Sequence, residues 1–123
     1  MADECFILAV DRNRRNLELL AQFLNKEGYA TLSATSVEEF NQALEKPETI
    51  GLVLLDISGF DRKIWDYCER LRDAEIPFLV LSPRQSAVIH QESIAHGARS
   101  MLVKPLVVKE LLGLIRGLLR VQT

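Results

Sequence analysis

Four residues of complementary chemistry each follow a short apolar run. Asp11 follows Phe6–Val10, Asp56 follows Leu52–Leu55, Ser82 follows Phe78–Leu81 and Lys104 follows Ser100–Val103. Two carboxylates can hold a hard cation such as Mg2+, which prefers oxygen donors and shares them with phosphate. A carboxylate is also a nucleophile that takes a phosphoryl group to form an acyl phosphate. A lysine on the opposite side neutralises phosphoryl charge, and a hydroxyl hydrogen-bonds it. Singly, these residues have plainer roles. Asp11 or Asp56 serves equally well as a helix cap, Ser82 as a polar strand terminus and Lys104 as a solvated charge ahead of a turn. Their shared place at the ends of apolar runs is what points to one site.

The elements that must position them alternate. A fifth run, Tyr29–Ala34, lies between the first and second of the others. The Phe6, Leu52 and Phe78 runs are almost wholly aliphatic, as strands buried on both faces of a parallel sheet require. The segments between have helical spacing. Leu17, Leu20, Ala21 and Leu24 share one face, with Gly28 where a helix would end. Ser36 and Glu39 form a capping box ahead of Val37, Phe40 and Leu44, and Pro47 stops that helix. Ile64, Tyr67, Cys68 and Leu71 mark a third helix, residues 85–96 before Gly97 a weakly patterned fourth, and residues 107–120 a fifth. Five strand–helix units imply right-handed crossovers and an open parallel sheet with helices on both faces. Ligands of such sheets bind beyond the carboxyl ends of the strands, where strand order reverses. All four polar residues should meet there.

The chain, 123 residues long, reads as one domain over 1–123 with no repeat or linker. A net charge of −2 asks for neither direct nucleic-acid nor membrane contact. Cys5 and Cys68 lack metal-ligand spacing and read as reduced thiols, and His90 and His96 have no CxxC companion. Met1–Glu4 is too polar for a signal peptide and the apolar runs are too short to span a bilayer, so the expected location is cytoplasmic. Metabolic chemistry on this scaffold is not expected. There is no GxxxxGK[ST], no GxGxxG after the first run and no GxSxG elbow. A haloacid-dehalogenase-type phosphatase would need an aspartate where Ser58 stands.

At this point the sequence resembles the receiver domain of bacterial two-component response regulators along essentially its whole length. The matching pieces are Phe6-Ile-Leu-Ala-Val-Asp11, Leu52-Val-Leu-Leu-Asp56, Phe78-Leu-Val-Leu-Ser82, Ala95-His-Gly97-Ala and Leu102-Val-Lys104-Pro105, in order and without large gaps. The resemblance implies a flavodoxin-like, doubly wound five-stranded parallel sheet of order 2-1-3-4-5 with five helices. It implies that Asp56 accepts a phosphoryl group from a histidine kinase or phosphotransfer protein. Asp11, Asp56 and the backbone carbonyl of Ser58 would hold Mg2+. Ser82 would be the switch hydroxyl, Lys104 the counter-charge, and the peptide before Pro105 cis. Any enzymatic activity would be limited to self-catalysed phosphoryl transfer to and from Asp56.

Four departures from the family pattern carry physical meaning. Arg12 stands where a second acid normally follows Asp11, which weakens Mg2+ binding and offers a guanidinium to the phosphoryl oxygens. Pro83 lacks the N–H that a residue after the switch hydroxyl usually donates. Met101 replaces the usual aromatic reporter with a flexible thioether. Gly59-Phe60 alters the loop after Asp56. Two functions therefore compete: a phosphorylated receiver with a modified metal site, or a phosphorylation-independent pseudo-receiver that binds a partner. The last helix bears two apolar stripes. Val107, Leu111, Leu114, Ile115 and Leu118 should face the sheet. Val108, Leu112 and Leu119 would be a broader core contact or a homodimer or output surface on the helix 4–strand 5–helix 5 face.

Overall fold

The structure is a computed structural model and describes residues 5–120. Its strands are β1 (Phe6–Val10), β2 (Thr31–Ala34), β3 (Ile50–Asp56), β4 (Phe78–Ser82) and β5 (Ser100–Val103). Its helices are α1 (Arg14–Lys26), α2 (Val37–Ala43), α3 (Ile64–Asp73), α4 (Ala87–Ala95) and α5 (Val108–Arg120). All strand pairs are parallel, in the order β2-β1-β3-β4-β5, as expected. Every residue of β3 is buried because it lies between two neighbours and under two helical layers. Alternate residues of the central strands feed opposite cores. Leu8, Val10, Val53, Leu55, Phe78 and Val80 pack against Phe40 of α2 and Ile64, Cys68 and Leu71 of α3. Ile7, Leu52, Leu54, Leu79 and Leu81 face Leu24 of α1 and Leu111 and Ile115 of α5.

Local signals set the helix ends. Asn13, Ser36 and Ser86 cap α1, α2 and α4 by accepting from backbone N–H groups three residues on. The α2 capping box is shifted. Ser36 Oγ accepts from the Glu39 N–H, but the Glu39 carboxylate reaches back to Thr35, accepting from its N–H and its hydroxyl. Those two hydrogen bonds, backbone first, lower the Glu39 pKa. Gly28 takes the positive φ that ends α1. Two strands depart from their expected bounds. β2 begins at Thr31 rather than Tyr29, and β3 extends from Ile50 to Asp56 because its neighbours carry the ladder past the aliphatic run. The weak patterning of α4 has a cause: Ser93 is its one fully buried residue, with the hydroxyl donating to the Ile89 carbonyl.

Helix α5 corrects the reading of its stripes. Val107, expected on the sheet, precedes the helix and is exposed, its carbonyl accepting from the Leu111 N–H. Leu112, on the stripe that was either core contact or partner surface, is buried, and Leu119 packs partly buried against the α1–α5 core. The second stripe is thus mainly core contact, and within this segment the large exposed apolar side chains are Val107 and Val108 at the start of the helix. The side chain of Arg120, and residues 1–4, lie outside the described residues.

The cysteines behave as separate thiols. Burial, and secondarily the charge of Glu69, pushes the Cys68 thiol up to about 12, whereas Cys5 is exposed. Native protein at about pH 8 should therefore take up a single equivalent of iodoacetamide, at Cys5, and a second only in denaturant. Mass spectrometry showing rapid double alkylation of the folded chain would contradict the burial of Cys68.

Candidate functional site

Register brings the polar residues together. Val10 lies beside Leu55, so the next residues of those strands, Asp11 and Asp56, end up side by side. Asp56 is in turn opposite Leu81, and Ser82 opposite Val103, immediately before Lys104. The Lys104 N–H donates to the Ser82 carbonyl at 2.8 Å, anchoring the end of β5 to β4. The Lys104 ammonium lies 2.5 Å from Asp56 Oδ2 and 3.4 Å from Asp11 Oδ2. Both remaining carboxylate oxygens are held by the backbone: Asp11 Oδ1 accepts from the Asn13 N–H and Asp56 Oδ1 from the Ser58 N–H, each at 2.8 Å. Asp11 and Asp56 are both buried. Burial by itself would lower the Lys104 pKa, but the hydrogen bonds and charges of Asp56 and Asp11 outweigh it and hold the pKa above the ordinary lysine value. The peptide between Lys104 and Pro105 is cis, as expected.

Ser82 occupies the fourth corner, fully buried, but its hydroxyl is turned into its own loop. It donates to the Arg84 carbonyl at 2.8 Å and accepts from the Arg84 N–H at 3.3 Å, closing a small turn around Pro83. Pro83 has no N–H to offer the site. Met101 is half-buried against the α2–α3 core.

Three residues that looked like separate oddities in the sequence touch one another. Gly59 has φ +80°, a conformation that glycine accepts freely. A Cβ built on it would stand 2.9 Å from Arg12 Cδ, so the arginine stem lies directly over the Gly59 backbone. The guanidinium then rests on the Phe60 ring, 5.3 Å from its centroid. At an exposed position such a contact is worth about 0.5–1 kcal/mol. Arg12 makes no ion pair among the described residues.

The donor set fits a divalent cation poorly. Among the described residues no third carboxylate, imidazole or thiolate joins Asp11 and Asp56. The two carboxylates already share the Lys104 ammonium, and the residue after Asp11 is the cation Arg12 rather than a further acid. A feature that periodicity did not anticipate adjoins the pair. A cleft of about 450 Å3 opens between Leu20 and Phe23 of α1 and Val108 and Leu111 of α5, with Asp56 and Lys104 at its polar end. Exposed Leu19 and Val108, apolar residues off the main helix stripes, were its only sequence signal.

The family described as the response regulator receiver domain matches residues 7–116. This chain is a response-regulator receiver domain. The receiver is 34% identical over 118 residues to the response regulator MprA of Mycobacterium leprae, covering 93% of this chain and 50% of that one. It spans about half the length of the curated relatives it matches. A two-component response regulator from Clostridium difficile superimposes with a TM-score of 0.84 at 23% identity, covering 95% of this receiver and 97% of that chain. A Burkholderia pseudomallei response regulator, solved with a phosphorylated aspartic acid, a calcium ion and citrate, aligns at 26% identity with a TM-score of 0.76. That alignment covers 89% of this receiver and 65% of that chain. The receiver belongs to two-component signal transduction, and none of its described helices is long and apolar enough to cross a membrane.

Proposed function

We propose that this receiver accepts a phosphoryl group on Asp56 from a histidine kinase or phosphotransfer protein in the cytoplasm. The observation that carries the reading is the Asp56–Lys104–Asp11 cluster: a buried carboxylate at the floor of a strand-end pocket, with an ammonium 2.5 Å away. The Asp56 carboxylate attacks phosphorus. The P–N bond to the donor imidazole breaks, its electron pair leaves with the imidazole, and an acyl phosphate remains on Asp56. Lys104 balances charge on the transferred group, Asp11 fixes the lysine, and Ser82 supplies its hydroxyl once released from Arg84. Mg2+ binding at Asp11, Asp56 and the Ser58 carbonyl is weak, because two carboxylates shared with Lys104 hold it poorly. The phosphorylated aspartic acid and calcium ion of the Burkholderia relative support the same chemistry. Output passes through the α4–β5–α5 face, to a second copy or a separate output partner, with no direct nucleic-acid or membrane contact.

A second reading, the phosphorylation-independent pseudo-receiver, draws on one observation: the Ser82 hydroxyl is bonded back to Arg84 across Pro83. Incubation with acetyl phosphate, followed by intact-mass and peptide mass spectrometry, separates the two. Phosphoreceiver chemistry predicts one added phosphoryl group on the Asp56 peptide, absent from Asp56→Asn. An unlabelled wild type that is fully folded by circular dichroism supports the pseudo-receiver.

A further inference from the structure

We infer that Arg12, seated on Gly59 and Phe60, takes the place of a divalent cation as counter-charge to the phosphoryl group, so that Asp56 is phosphorylated without metal. The inference rests on Asp56 being the phosphoacceptor, and it concerns what the surrounding residues do for that step. The charges of Asp11, Asp56, Lys104 and Arg12 cancel, so the pocket has no surplus of negative charge to draw in a dication. The carboxylate oxygens are also spoken for: one of each pair accepts from a backbone N–H and the other faces Lys104. An incoming phosphoryl group adds negative charge to this balanced set, and Arg12, on the residue next to Asp11, is the cation that meets it.

A guanidinium suits the task. It stays protonated at any working pH, and its planar fork of donors matches two phosphoryl oxygens. The loop after Asp56 is built to hold it nearby. The missing Cβ at Gly59 admits the stem, and the Phe60 face supports the head group without neutralising it, since no carboxylate pairs with Arg12 among the described residues. A rest on an aromatic face is weak enough to leave when a stronger anion arrives. Arg12, Gly59 and Phe60 thus form one unit spanning the β1–α1 and β3–α3 loops: a cation held by the residues that directly follow Asp11 and closely follow Asp56. In the transfer itself, the P–O bond of acetyl phosphate breaks as Asp56 attacks, acetate leaves with the electron pair, and Arg12 moves onto the non-bridging oxygens.

The test compares wild type, Arg12→Ala, Arg12→Asp and Phe60→Leu, each with EDTA or with excess Mg2+. Asp56 labelling by acetyl phosphate is followed by mass spectrometry, and fluoroberyllate binding by fluorine NMR. Manganese affinity is measured separately by electron paramagnetic resonance. Wild type should label in EDTA within about threefold of its rate in Mg2+. Arg12→Ala should lose about 100-fold in EDTA, the effect of removing an aimed donor from a developing anion. Arg12→Asp should bind manganese at least about tenfold more tightly than wild type and label only with metal, since it supplies the missing oxygen donor. Phe60→Leu should label about two- to fivefold faster, because the guanidinium no longer rests on a ring. Wild-type labelling and fluoroberyllate binding that vanish in EDTA, with Arg12→Ala no worse, would overturn the inference and leave Asp56 as a metal-dependent acceptor. Silence of every folded variant, Arg12→Asp in Mg2+ included, would remove the phosphoacceptor reading and this inference with it.

Discussion

Replacing Lys104 by methionine should destabilise the folded receiver by about 2–3 kcal/mol at neutral pH and cut Asp56 labelling by about 100-fold or more. The stability loss follows from what is left behind. Lys104 holds Asp56 at 2.5 Å and Asp11 at 3.4 Å, and both carboxylates are buried. Methionine preserves the stem but leaves two like charges facing each other with no cation between them. The lysine is partly solvated, so the cost falls below that of breaking a fully buried pair. Asp56→Asn should behave differently, costing little, because one carboxylate and one ammonium remain and still pair.

The combination is diagnostic. Adding Asp56→Asn to Lys104→Met should recover more than about 1 kcal/mol, since it removes one of the two repelling charges. Urea titrations of the four proteins at equal ionic strength would measure this cycle. Strict additivity would show that the lysine does not hold the carboxylates together. The pH dependence has a definite sign. Lys104 has a folded pKa above its ordinary value of 10.5, so its contribution is complete below that value and is lost as pH rises through the folded pKa. The gap between wild type and Lys104→Met should therefore be constant from neutral pH to about 10 and narrow only above it.

Phe40→Ala should cost about 3–5 kcal/mol and lower Tm by more than about 10 °C. Helix α2 has only seven residues, too few to persist alone, and Phe40 is its one buried side chain. Its ring sits between the sheet and α3 and stacks on Tyr67 at 5.2 Å with the planes 22° apart. Truncation removes that contact and leaves a void between layers that cannot close without moving the sheet. Hydrogen exchange should show α2 losing protection first, ahead of global unfolding. A loss below about 1 kcal/mol by differential scanning calorimetry would mean that Leu44 and the Ser36 cap hold the helix unaided.

Much of the architecture could be read along the chain because its signals are local. The aliphatic runs of β1, β3 and β4 reflect burial on both faces, which leaves no room for alternation. Asp11, Asp56, Ser82 and Lys104 were legible as a group because each terminates a strand, and parallel strands bring their ends to one edge. Helix α4 was indistinct because almost nothing on it is buried. On α5 the sequence misplaced Val107 and left the second stripe open between core contact and partner surface, because apolar residues around a helix do not say how far the sheet beneath extends: Leu112 is covered and Val107 is not.

What the sequence determined by itself was the order of elements, the strand ends and the identity of the residues gathered there, since these follow from periodicity and from the geometry of right-handed crossovers. Tertiary structure alone decided the pairing within the site. That Lys104 spans both aspartates, that Ser82 turns back to Arg84, and that Arg12 lies over Gly59 against Phe60 all depend on side chains separated by up to 93 positions. Such contacts are set by the register of neighbouring strands and by the space between loops. Neither leaves a mark on local spacing.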